Sequence, residues 1–485
     1  MNLILRCRLA LLWAGLGVLF LSSCKRDPEV VPVGTPPASS TVTAGAVTDR
    51  DVNNWILENM NYYYLWNDKL PANPDKTLTP DKFFLSLLYD RNNTANSDRD
   101  RFSWLQASAT ELKASLSGET KTTGMEFRLF YRDQSQTAII GSVLYVKLNS
   151  PAAQAGVKRG DIFTRVNNET LTGSNYNQLL YNNADSYAFT FAQATAANVL
   201  TEDKQSKTVQ AVVFQEDPVL LDTTYTRNGR TIGYVVYNQF VPGPNGTTAK
   251  AYDVKLDNVF AKFKQKGVNE LVLDLRYNRG GYVSSATNLA SLMGKDVGNK
   301  VFYWQRWNSK VKADYDQKYG AGKWGIQSFV AKPQNIGANL SRVYILTTGS
   351  TASASELIIN GLKPFMNVVT IGATTVGKNV GSITISDASN KIKWGIQPLT
   401  FKSANADGFA DYPDGFKPLV EVKESTYDLK PLGAITEPLL AEAIYQITGT
   451  RTARRATVSA QDLLPSPGSS LDRKAGGGNM FLEKF

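Results

Sequence analysis

Apolar residues recur at helical spacing from Asp49 onward, in DVNNWILENMNYYYLWNDKLP and again in TPDKFFLSLLYDR, where Thr79, Pro80 and Asp81 supply a start signal. This pattern predicts a small helical N-terminal domain over residues 49–115, with the stripe Trp55, Tyr62, Tyr63, Leu65 and Trp66 turned into its core. Between 116 and 214 the period shortens to strand-like runs, GMEFRLF, TAIIGSVLYV and DIFTRVNN, separated by turns. From 215 to 450 strand-like and helical stretches alternate: TIGYVVYNQF, a helix ended by Gly267, the buried strand NELVLDLRYN, the helix GYVSSATNLASLMG, then SRVYILTTG, STASASELIINGLKPF and NVVTIG. Such alternation predicts an α/β core. Residues 451–485 are basic and Gly/Ser-rich, show no period and are expected to be disordered.

The start of the chain follows different rules. Arg6 and Arg8 precede the apolar run LALLWAGLGVLFL, which is short beside the about 20 residues a spanning helix needs. Small residues then lead to a cysteine, so residues 1–24 read as a signal sequence. Its ending, Leu21-Ser22-Ser23-Cys24, resembles the bacterial lipobox, which implies that Cys24 is lipidated and becomes the mature N-terminus. Residues 25–48, rich in Pro, Gly, Ser and Thr, are expected to be a flexible tether. The implied location is the bacterial cell envelope, lipid-anchored to a membrane and periplasmic or surface-exposed.

Composition narrows the chemistry. The formal charge is +10, but no dense basic stripe with interleaved aromatics appears, so a nucleic-acid partner is not indicated. The chain has no histidine, which removes the usual base of a serine triad and the commonest zinc ligand. Its only cysteines are Cys7 and Cys24, leaving none for a disulfide or metal cluster in the mature body. Proton transfer must therefore use Lys, Asp, Glu or Tyr.

Three strings supply candidates. A strand passing through Thr348-Gly349-Ser350 into a helix puts Ser353 near a helix N-terminus, where unpaired amides favour a developing oxyanion. Lys378, in the glycine-flanked turn TTVGKNVGS, is the natural base, since burial lowers a lysine pKa toward neutrality. The strand LDLRYNRGG ends in Arg276, Asn278 and the pair Gly280-Gly281, whose backbone freedom lets an amide face a reacting carbonyl.

Together DLRYNRGG, TASASE and TTVGK resemble, in order and spacing, the oxyanion, nucleophile and lysine motifs of the C-terminal processing serine peptidases. YPDGFKPLVEV fits the same family, and NSPAAQAGVKRGDIFTRVNN resembles the PDZ domain signature. The resemblance covers roughly residues 50–448. It implies a multidomain protein with a ClpP/crotonase-like α/β catalytic core at 215–450, a β-rich PDZ domain at 116–214 and the helical N-terminal domain. It further implies Ser353 as nucleophile, Lys378 as general base, and the amides of Gly280 or Gly281 and Ala354 as the oxyanion hole, with no cofactor and no metal. Many members carry a glutamine four residues after the lysine. Here Ser382 stands there, so it or another hydroxyl is expected to orient Lys378. Gly124, Met125, Glu126 and Phe127 sit where PDZ domains bind a substrate C-terminus, and the expected partners are proteins or peptides with exposed C-terminal tails. The competing reading is a catalytically silent PDZ lipoprotein scaffold. The chain's own end at Phe485 is itself a candidate ligand for that loop, as self-inhibitor or as a segment the enzyme trims.

Overall fold

The computed structural model describes residues 46–132, 137–195, 199–244, 250–451, 464–474 and 478–483. The signal sequence, Cys24, most of the tether and Phe485 lie outside the described residues.

Helix α1 (Asp49–Tyr63) starts at a capping box formed by Thr48 and Asp51, and α2 (Pro80–Ser86) starts on a proline that has no N–H to leave unpaired. Ile56 and Met60 of α1 pack with Phe83 and Phe84 of α2. The expected stripe is only partly covered; beside it Tyr64 is fully buried, and its hydroxyl donates to Asp100 at 2.7 Å. A β-rich domain follows, with β1 (Met125–Tyr131), β2 (Ile139–Val146), β3 (Ile162–Val166) and β4 (Ser186–Ala194) in antiparallel order, and a short helix α3 (Tyr176–Leu180) packed on them.

The α/β core contains β5 (Val219–Arg227), β6 (Arg230–Tyr237), α4 (Ala251–Gln265), β7 (Glu270–Asp274), β8 (Gly281–Tyr282) and α5 (Val283–Met293). It continues through β9 (Val301–Trp307), β10 (Ile326–Ser328), β11 (Arg342–Thr347), α6 (Ala354–Leu362), β12 (Asn367–Gly372), β13 (Val380–Ile383), β14 (Leu399–Asn405), β15 (Val420–Glu421) and α7 (Pro438–Thr448). One sheet runs β5-β6-β7-β11-β12-β15, parallel from β6 onward. Helices α4, α5 and α6 fill the space between it and a second sheet, while α7 covers its other face. Leu357, Ile358, Ile359 and Leu362 of α6 are each fully buried, and each such side chain contributes about 1.5–3 kcal/mol. Parallel pairing has a direct consequence for function. The C-terminal ends of β7, β11 and β12, in register at Asp274 with Leu346 and at Thr347 with Gly372, release their loops side by side. Motifs about a hundred residues apart in sequence thereby meet.

The C-terminal stretch departs from the expected disorder. Gly468–Ser469 form β16 on β1, and Met480–Leu482 form β17 inside the second sheet, whose order is β8-β17-β13-β14-β9-β10. Leu471, Met480 and Phe481 are buried. They are too few and too widely spaced to give a hydrophobic period, yet each enters a site that other elements build.

Candidate active site

Ser353 is the N-cap of α6 and takes φ 62° and ψ −113°, a strained region for a residue with a side chain. Several bonds hold it there. Its amide donates to Glu356 Oε2 at 2.8 Å, and the Ala352 amide donates to the Asn278 carbonyl at 3.1 Å. The Thr351 hydroxyl donates to the Leu275 carbonyl at 2.9 Å and accepts from the Thr348 amide at 2.9 Å. Arg128 of β1 reaches Ser350 Oγ at 3.0 Å, tying the β-rich domain to this loop. Ser353 Oγ is buried and has no hydrogen-bond partner of ordinary geometry among the described residues.

Lys378 lies in the loop between β12 and β13 and is fully buried. Its amide donates to the same Glu356 Oε2 at 2.8 Å, while Glu356 Oε1 accepts from the Gly377 amide at 2.7 Å and the Thr375 hydroxyl at 2.5 Å. Lys378 Nζ stands over the Phe102 ring, 4.6 Å from its centre, and donates to Asn479 Oδ1. Asn479 Nδ2 in turn donates to Gln397 Oε1 at 2.6 Å. Burial drives the Lys378 pKa well below the ordinary lysine value; Asp100 and Glu356 oppose this, and Arg279 and Arg101 reinforce it. Burial also raises the Glu356 carboxyl, against the four donors that favour its charged form.

Gly280 sits against the serine: a Cβ there would lie 2.8 Å from Ser353 Cβ and 3.1 Å from the Ala354 amide nitrogen. Its own amide donates to Asn278 Oδ1 at 2.9 Å, and Gly281 is paired in parallel with Met480 of β17. Ser382 differs from expectation. Its hydroxyl donates to the Met480 carbonyl at 3.2 Å, and the polar group that meets Lys378 Nζ is the amide side chain of Asn479.

At the expected carboxylate-binding loop, the Gly124 and Met125 amides donate to the hydroxyls of Thr122 and Thr123 at 3.0 and 3.3 Å. The Phe127 amide donates to Ser470 Oγ at 2.9 Å. Glu126 belongs to a buried quartet: Lys147 Nζ is 3.2 Å from both Glu126 and Glu216, and Lys474 is 3.1 Å from Glu126 and 3.4 Å from Glu216. Burial pushes the Glu126 carboxyl up, but Lys474 and Lys147 outweigh it and hold it at about 2.

Sequence reasoning missed Glu356, Phe102 and Asn479. The first had a visible signal, because Ser353-x-x-Glu356 is a capping-box spacing. Phe102 and Asn479 arrive from opposite ends of the chain and carry no local signature.

Three family models match parts of the chain. Residues 231–408 match the peptidase family S41 model, 51–104 the peptidase S41 N-terminal domain, and 142–186 a PDZ domain. The carboxy-terminal processing protease CtpA of Bacillus subtilis is 26% identical over 298 residues, covering 60% of this chain and 55% of that protein. A CtpA-like serine protease of Staphylococcus epidermidis is 23% identical over 279 residues, covering 58% of this chain and 50% of that protein. The chain thus spans about half the length of the curated relatives it matches. A crystal structure of an S41 protease from Bacteroides fragilis is 27% identical, with a TM-score of 0.66 over 81% of this chain and 97% of that one.

Proposed function

Because the chain belongs to peptidase family S41, we propose that it is a serine endopeptidase of the C-terminal processing type with Ser353 as nucleophile and Lys378 as general base. The observation that carries this reading is the single Glu356 oxygen that fixes the backbones of both residues at 2.8 Å, around a lysine whose burial favours the neutral amine. Neutral Lys378 takes the proton from Ser353 Oγ as the oxygen attacks the peptide carbonyl carbon. In this reading the amide of Ala354, with that of Gly280 or Gly281, receives the oxyanion. Lys378 then returns its proton to the departing amine, and water, deprotonated the same way, hydrolyses the acyl-enzyme.

In this reading the PDZ domain presents substrate C-terminal tails as an added strand. Ser353→Ala and Lys378→Ala are expected to abolish cleavage of an unfolded protein without loss of fold. Substantial activity in either purified variant removes that residue from its role. We further propose that Cys24 carries a lipid and anchors the enzyme in the cell envelope. Fatty-acid labelling should mark the wild type and be lost, with membrane fractionation, in Cys24→Ala; label retained there refutes the anchor.

A further inference from the structure

One segment of the chain occupies both the edge of the PDZ sheet and the candidate catalytic cleft. Strand β16 lies antiparallel on β1, with Gly468 opposite Leu129 and Ser469 opposite Arg128, so the segment runs toward the Gly124 loop. Ser470 Oγ accepts from the Phe127 amide and donates to Glu126 at 2.6 Å. Leu471 is buried among Leu144, Tyr145 and Tyr277. Asp472 pairs with Arg279 at 2.8 Å, and Arg473 donates to Asn177 of α3 at 2.7 Å. Further on, Asn479 meets Lys378, and β17 enters between β8 and β13, with Met480 opposite both Gly281 and Gly381.

We infer, resting on the peptidase reading above, that residues 468–474 and 478–482 are a built-in occupant of the enzyme's polypeptide track and hold it in a resting state. Three observations converge. An extended guest added to a sheet edge makes this kind of contact, main chain along β1 with side chains in flanking pockets. The segment engages the amine proposed as base, while Ser353 Oγ lacks an ordinary partner, so serine and lysine are not bonded to each other. Finally, β16 and β17 are only two and three residues long, so each makes few main-chain pairs with the strands it joins. The ligand class follows from the occupant: an extended polypeptide with an apolar residue for the Leu471 site and a cation for the Glu126–Glu216 pair.

The test uses full-length protein and a fluorescent synthetic peptide of residues 464–483. Leu471→Asp, and separately the double variant Asp472→Arg with Arg473→Glu at exposed positions, weaken the segment's hold. If the segment is seated nine-tenths of the time, freeing the track raises peptide affinity and kcat/KM on an unfolded protein about tenfold each. Folded variants, judged by circular dichroism, that bind the peptide no better than wild type and cleave no faster overturn the inference and make the segment a structural strand. Should Leu471→Asp not fold, the double variant decides the question alone. Variants that gain peptide binding while Ser353 takes up no acylating serine probe uphold the occupancy and instead refute the peptidase reading.

Discussion

The backbone amides of Ser353 and Lys378 converge on one carboxylate oxygen, Glu356 Oε2, each at 2.8 Å. One side chain thus sets the spacing of the proposed nucleophile and base. In Glu356→Gln the carboxamide presents an NH2 to groups that are themselves donors. Hydrogen bonds to a charged group contribute about 1.5–3 kcal/mol each, so a lower melting temperature is expected. As a positioning residue Glu356 should affect kcat more than KM, with kcat falling about a hundredfold, or about 2.7 kcal/mol of barrier. A variant with unchanged kcat would remove the clamp from the mechanism.

Lys378 is an ionisable group kept out of water, and Lys378→Met makes this measurable. The folded-state pKa lies below its unfolded value near 10.5. Between those values the unfolded chain binds the extra proton, so stability rises with pH until the ordinary value is passed. Lys378→Met, which has no proton to lose, should be inactive and at least as stable as wild type near neutral pH, with its advantage shrinking toward alkaline pH. Wild-type activity should rise over the same direction of pH, even with Asp100, Glu356, Arg279, Arg101 and Asn479 facing the amine. A flat activity profile would rule out lysine as the base.

Gly280 adopts φ +111°, and a Cβ there would press on Ser353 Cβ at 2.8 Å. Gly280→Ala therefore strains its own backbone and moves the nucleophile. The expected result is loss of at least about a hundredfold in kcat, since displacement by about 1 Å suffices for that. Wild-type turnover in the variant would show that the loop has slack.

Arg276 is fully buried among Asp274, Glu424 and Glu437, at 2.7–2.8 Å from an oxygen of each. Arg276→Leu leaves Asp274 and Glu437 without their ion-pair partner while Glu424 keeps Arg159, and breaking a buried pair costs about 3–5 kcal/mol. By contrast, the half-exposed pair Arg165–Glu202 should contribute within about 1 kcal/mol. Chemical denaturation of Arg276→Leu and Arg165→Leu compares the two directly.

The elements that carry the motifs were legible because each is locally self-consistent. The strand before Ser353, the helix after it and the turn bearing Lys378 all follow from period and glycine placement. The second sheet was not legible. It is assembled from short strands drawn from four separated regions, and its β8 and β17 are two and three residues long. Asn479 and Phe102 reach Lys378 only through tertiary folding, and no spacing rule links residues 101 or 276 positions apart to one site. The family's glutamine position suggested Ser382 or another hydroxyl as the group that orients Lys378, but β13 turns the Ser382 hydroxyl toward the Met480 carbonyl.

The buried quartet of Lys147, Lys474, Glu126 and Glu216 balances two positive charges against two negative ones. Lys474 is the member supplied by the C-terminal segment. When that segment departs, one ammonium faces two carboxylates, and the groove is left with an electrostatic imprint of what it held. A guest polypeptide that brings a lysine or arginine to this place restores neutrality, whereas one that brings an acid adds a third like charge to a desolvated site. On the proposed reading, a guest polypeptide would be selected here by charge as well as by shape. The 464–483 peptide with Lys474→Glu should consequently bind the freed track more weakly than the parent, and equal affinity would show that the imprint is not read.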